Sequence, residues 1–189
     1  MIKSKLQGRL HSLQQISDRY YAFINRFSVV KGSNKDDWFE IERLPKGATK
    51  ITAFRIQGGK KGEKFFEHTY QSDKTKEIWI YALDDNDVFH VFGNHARHRT
   101  KVRLIGGQNN DTYDIEQGKG ISFYDYKSKE STVLTSKGRK KFTDDYETNV
   151  YDYKKLKYNT NRVIPTIGRN PDDGLKIGIS DKFTINGFE

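Results

Sequence analysis

The stretch Glu77-Ile78-Trp79-Ile80-Tyr81-Ala82-Leu83-Asp84-Asp85-Asn86-Asp87-Val88-Phe89-His90-Val91 aligns without a gap on Lys101-Val102-Arg103-Leu104-Ile105-Gly106-Gly107-Gln108-Asn109-Asn110-Asp111-Thr112-Tyr113-Asp114-Ile115. The offset is 24 residues. Ile78/Val102, Ile80/Leu104, Phe89/Tyr113 and Val91/Ile115 match in character, and Asn86/Asn110 and Asp87/Asp111 are identical. Apolar residues alternate with polar ones on both sides of an Asx-rich centre, so each copy reads as strand, polar corner, strand. Stacked copies place like side chains above one another, as in a short β-helical or β-roll-like stack. Ile121-Ser122-Phe123-Tyr124-Asp125-Tyr126 begins a third, degraded copy. So few repeats cannot bury a core alone, so the rest of the chain must cap them.

Upstream, the period of two continues. Trp38–Leu44, Lys50–Ile56 and Lys64–Tyr70 are three aromatic-rich strands, separated by Pro45-Lys46-Gly47 and Gly58-Gly59-Lys60-Lys61-Gly62, and together they predict an antiparallel meander. No helix-like pattern follows Gly58-Gly59, which makes it a hairpin turn rather than a phosphate loop. Before the meander, Leu6, Leu10, Leu13, Ile16, Tyr20, Ile24 and Phe27 recur at three- and four-residue steps. That amphipathic helix is expected to pack on the domain body, its polar face being too poor in Lys and Arg for a membrane-surface helix. Val29-Val30 and Lys31-Gly32-Ser33-Asn34 close it in turn chemistry. Downstream, Lys154–Pro165 is polar and extended, 167–174 is a turn, and Leu175, Ile177, Ile179, Phe183 and Ile185 alternate with Lys, Gly and Ser. This alternation suits the first strand of an outer-membrane barrel and equally an edge strand of another sheet.

The predicted fold is mainly β: an antiparallel meander plus a short β-helix/β-roll-like stack, with one N-terminal amphipathic helix. Its divisions are an N-terminal helix over 1–30, a β-rich domain over 36–135 with the internal repeat 77–91/101–115, and a polar extension with a terminal strand over 136–189.

Composition narrows the chemistry. Among 189 residues there is no cysteine, which excludes disulfides, thiolate metal sites and a Cys nucleophile. Hydrophobic residues are only 34%, yet 13% of the chain is aromatic, enough for a core built from rings. The 34 basic residues against 25 acidic ones give a net charge of +9, a field that attracts polyanions such as lipopolysaccharide or nucleic acid. The basic residues are dispersed in small clusters (Lys60, Lys61 and Lys64; Arg97, Arg99, Lys101 and Arg103; Lys137–Lys141) rather than gathered on one face, so DNA is not an expected partner. No apolar run reaches the length of a membrane-spanning helix, and the N-terminus has no signal-peptide core.

Gly106-Gly107-Gln108-Asn109-Asn110-Asp111 resembles the calcium-binding nonapeptide of β-roll proteins, in which glycines let carbonyls converge on the cation and an Asp supplies a hard oxygen. This makes Asp84, Asp85, Asp87, Asn109 and Asp111 the candidate calcium ligands. The competing reading is that these Asx side chains bond the backbone and hold the corners. Phe92-Gly93-Asn94-His95 matches one element of the calcineurin-like metallophosphoesterase site, but the other ligands of that two-metal centre are missing and Ala96 stands where an acid belongs. His90, His95 and His98 are a further metal-ligand set, disfavoured by Arg97 and Arg99 beside two of them. There is no Gly-x-Ser-x-Gly elbow, and Asp144-Asp145 and Asp172-Asp173 read as loop or cap positions. No catalytic residue is assigned.

Asp36-Asp37-Trp38-Phe39-Glu40-Ile41, Thr75–Phe89, Val102–Thr112 and Arg169-Asn170-Pro171-Asp172-Asp173-Gly174-Leu175-Lys176-Ile177-Gly178 together resemble the β-rich middle region of surface proteins. Those proteins pair a calcineurin-like metallophosphoesterase domain with a C-terminal outer-membrane barrel of the surface-antigen type. The resemblance implies a non-catalytic spacer or docking module of a Gram-negative envelope protein, on the periplasmic or surface side of an outer membrane, with adjacent domains of a larger protein as its partners. The phosphoesterase activity would belong to the parent, and the absent signal peptide would follow from excision of the front. Alternatives are a module binding a polyanion, nucleic acid or lipopolysaccharide, and a piece of a phosphoesterase.

Overall fold

Two strands per repeat, separated by an Asx corner, wind the chain into a ladder of rungs. In the computed structural model, which describes residues 2–93, 100–172 and 174–188, the chain forms two units, Met1–Tyr151 and Asp152–Glu189. The first begins with α1 (Ile2–Ile24) and then lays down rungs. β1 (Phe27–Lys31) and β2 (Asp37–Arg43) are the first rung, after which β3 (Thr49–Gln57) and β4 (Lys60–Tyr70) leave the ladder as a hairpin. β5 (Glu77–Leu83) with β6 (Val88–Gly93), β7 (Lys101–Gly107) with β8 (Thr112–Ile115), and β9 (Ile121–Tyr124) with β10 (Thr132–Ser136) follow. β11 (Arg139–Lys140) and the single turn α2 (Tyr146–Asn149) complete the unit.

The strands form two sheets, ordered β1-β5-β7-β9-β11 and β10-β8-β6-β2-β3-β4. Every pair within the first sheet is parallel, as are β10-β8, β8-β6 and β6-β2, whereas β2-β3 and β3-β4 are antiparallel. The register is the one the repeat predicts: Ile78 lies beside Val102, Ile80 beside Leu104, Phe89 beside Tyr113 and Val91 beside Ile115. The antiparallel pairs supply the expected meander, which continues the second sheet beyond the first rung.

Inward-facing positions fill the space between the sheets. Phe39, Phe89 and Tyr113 stack with ring centroids 5.2 Å apart at each step, and Tyr113 sits 5.1 Å from Phe123. The spacing is close to that between neighbouring strands, so one ring per rung makes a continuous aromatic column. Ile41, Val91 and Ile115 from the second sheet and Ile78, Ile80, Val102 and Leu104 from the first complete a core that is essentially inaccessible to solvent. An aromatic-rich, aliphatic-poor sequence thereby obtains its core.

Four expectations need correction. α1 buries none of its residues, and Leu6, Leu10, Leu13 and Ile16 are all at least 57% exposed; the core closes on strand residues and leaves the helix stripe outside it. Phe27 and Val29-Val30 are not the end of the helix but β1, whose residues pair with Glu77–Tyr81. The turn between the second and third meander strands is only Gly58-Gly59, both at positive φ (58° and 74°), the two-residue turn that matches strand twist. In the tail, the strand β12 (Thr160–Asn170) takes in the second half of the stretch read as extended and continues through 167–170, which are strand rather than turn.

The second unit is built on that strand and β13 (Gly174–Thr184), paired antiparallel from Thr160↔Thr184 to Asn170↔Gly174. Register places Val163, Pro165, Ile167, Leu175, Ile177, Ile179 and Phe183 on one side of the hairpin, together with Asn161, Arg169 and Asp181. Arg162, Thr166, Gly168, Lys176, Gly178, Ser180 and Lys182 occupy the other, with Ile164 among them.

Candidate functional site: the Asx elbow and the outer face of the second sheet

The corner between the two sheets repeats down to its backbone angles. Leu83 and Gly107 have φ of 90° and 100°, and Asp85 and Asn109 both have φ of 68°. Two left-handed residues per corner reverse the chain within a few positions. They bring the following Asx pair onto the ladder axis.

That pair forms two hydrogen-bond columns. In one, Asp37 N–H donates to Asp87 Oδ1 (2.7 Å), Asp87 N–H to Asp111 Oδ1 (2.8 Å) and Asp111 N–H to Ser131 Oγ (3.2 Å). In the other, running the opposite way, Asn86 N–H donates to Asp36 Oδ1 (3.1 Å), Asn110 N–H to Asn86 Oδ1 (3.2 Å) and Glu130 N–H to Asn110 Oδ1 (3.1 Å). Corner amides that no sheet ladder can satisfy are thus bonded to the neighbouring rung.

The first column is interior. Asp37, Asp87 and Asp111 are at most 1% exposed. Asp37 is matched by Arg55, 2.6 Å from its Oδ1, and by the Ser33 amide, 2.7 Å from Oδ2. Asp87 and Asp111 each have an Oδ2 with no hydrogen-bond partner among the described residues. Burial, reinforced by the charge of Asp111, pushes the Asp87 carboxyl up to about 9; burial together with Asp125 pushes Asp111 up to about 8. Both are neutral acids at pH 7, sealed from any substrate.

The glycines of the nonapeptide-like stretch have a structural explanation here. A Cβ on Gly106 would lie 2.0 Å from Asp111 Oδ2, and one on Gly107 would lie 2.3 Å from the Leu83 carbonyl oxygen. The structure sorts the five predicted calcium ligands into two layers. Asp87 and Asp111 lie inside the elbow, while Asp84, Asp85 and Asn109 occupy the partly exposed turn, where Asn109 Nδ2 donates to Asp84 Oδ1 (3.2 Å) and the Asp85 amide to the same oxygen (3.0 Å). The Asn94-His95 element, Ala96 and His98 fall outside the described residues, and of the three-histidine set only His90 is described. Asp145 is a helix cap, accepting from the Thr148 amide at 2.9 Å.

Sequence reasoning missed Asp36 and Asp37 as the first pair of the columns. The signal was present: Asp36-Asp37-Trp38-Phe39 has the pattern of Asn86-Asp87-Val88-Phe89 and Asn110-Asp111-Thr112-Tyr113. It also missed Asp114 and Glu116, which meet His90 on the outer face of the second sheet. His90 and Asp114 are in-register neighbours, with Nε2 3.9 Å from Asp114 Oδ2 and 3.5 Å from Glu116 Oε1. The Glu116 amide donates to the Val91 carbonyl (2.9 Å), and the Phe92 ring stacks on the imidazole at 4.7 Å.

No protein-family model, curated protein or solved structure matches the chain.

Proposed function

We propose that this chain is a non-catalytic β-solenoid module of a Gram-negative envelope protein, serving as a spacer or docking element between an enzyme domain and an outer-membrane barrel. The observation that carries this reading is the β12–β13 hairpin. Each strand has 11 residues, the length with which a tilted strand crosses the hydrocarbon layer. Most of its apolar residues share one side and are widely exposed, Ile167 at 78% and Ile177 at 75%, with Asn161, Arg169 and Asp181 on the same side. Glycine, serine, threonine and lysine, with Arg162 and Ile164, occupy the other, the broad alternation of a strand pair with one side to lipid and one to a polar lumen. A lone hairpin leaves open edges, so it requires further strands to enter a bilayer.

The aspartates of the elbow support a scaffold role, because their bonds link rung to rung and their burial denies access to substrate. Polyanion binding has weaker support. Lys61 is paired with Glu40, and Lys50 and Lys64 flank Glu67 at 3.1 and 3.2 Å.

Expressing the natural reading frame that contains this chain in a Gram-negative host and fractionating the envelope tests the proposal. Recovery in the outer membrane, lost on Ile167→Asp/Ile177→Asp, supports it. Recovery in the cytosol, or membrane recovery unaffected by that pair, refutes it.

A further inference from the structure

We infer that His90, Asp114 and Glu116 form a binding site for a divalent transition cation of the zinc type on the outer face of the second sheet. Their donor atoms all lie within 4.8 Å of one another. A tetrahedral ion with bonds of about 2.1 Å needs donors about 3.4 Å apart. His90 Nε2 is already 3.5 Å from Glu116 Oε1 and 3.9 Å from Asp114 Oδ2, so small side-chain rotations close the set. Each side chain is only partly covered, with 26%, 28% and 50% exposure, leaving an approach for the ion and a fourth position for water.

The backbone holds these groups in place. His90 and Asp114 are fixed on adjacent parallel strands, Glu116 is tied to β6 through the Val91 carbonyl, and Phe92 braces the ring. One imidazole nitrogen with two carboxylates suits a borderline cation, and the two negative charges balance a dication. Glu40, in register with His90 on the other side, is engaged by Lys61 and does not join the set. None of this depends on the envelope assignment.

Calorimetric titration of the whole chain with zinc, together with NMR of the histidine ring protons, tests the inference. The wild type is expected to bind one zinc per chain, with the His90 resonances shifting on binding. His90→Asn and, separately, Glu116→Gln should each weaken binding at least about 10-fold, which is the loss seen even when only supporting groups of a metal site are removed. His95→Asn/His98→Asn should leave affinity unchanged. The inference is overturned if zinc leaves the His90 resonances unmoved (the three groups are then an ion-pair network only), if His90→Asn binds like the wild type, or if His95→Asn/His98→Asn abolishes binding.

Discussion

The amide of Asp87 donates to the carboxyl of Asp111, 24 residues later, at 2.8 Å, and that carboxyl is fully buried. The bond ties two rungs together in the corner between the sheets, alongside the Asn110–Asn86 bond of the second column. It also brings an ionisable group to a place where ionisation is costly.

Stability should therefore fall as pH rises. Asp87 and Asp111 have folded-state values of about 9 and about 8 against 3.8 for the unconstrained side chain. Between about pH 4 and pH 8 the folded chain holds protons that the unfolded chain has released, so the contribution of these groups is complete below pH 4 and is lost as pH rises through 8 to 9. Each contributes a slope of at most about 1.4 kcal/mol per pH unit. Asp111→Asn keeps an acceptor for the Asp87 amide and removes the Asp111 titration, leaving that of Asp87. Its melting temperature should match or exceed the wild type at pH 8 and vary less with pH; a steeper pH dependence would contradict the neutral-acid assignment.

Gly106→Ala should destabilise the fold by about 1–3 kcal/mol in denaturant titration, the usual cost of overpacking a filled interior. The added methyl collides with Asp111 Oδ2 at 2.0 Å and with the buried Tyr113 hydroxyl at 2.4 Å.

Phe89 stacks between Phe39 and Tyr113 and is fully buried. Phe89→Ala should cost about 3–5 kcal/mol. Phe89→Tyr introduces a hydroxyl of the kind Tyr113 carries, but without the Tyr124 carbonyl that accepts from Tyr113 at 3.0 Å. It should cost less than the alanine change and more than nothing, as read by thermal melts.

Calcium at millimolar concentration should leave the melting temperature unchanged, since the two inner aspartates are neutral and Asp84 accepts from Asn109 and the Asp85 amide. A calcium-dependent rise that vanishes in Asp84→Asn would instead make the outer turn a calcium site.

Much of the ladder was legible because identical side chains at equal spacing must stack. Phe89 above Tyr113 and Asp87 above Asp111 follow from the alignment alone. The first rung was hidden because its spacing to the second is 50 residues, not 24, the β3–β4 hairpin lying between. β1 was misread because Phe27 fits the helical spacing of Leu6 to Ile24, and period alone cannot say where one element hands over to the next. The His90 cluster escaped notice because Asp114 and Glu116 reach it by pairing across strands, a relationship that local spacing around His90 does not contain.

The β3–β4 excursion has a wider consequence. Rungs offset by 50, 24 and 20 residues superpose equally well, so the connections between them are under no length constraint from the ladder. A foreign hairpin or epitope spliced into the Gly58-Gly59 tip would be displayed on a rigid platform without disturbing the winding. Kinship among such proteins is then better sought in the Asx-Asx-x-aromatic signature of single coils than in any fixed period.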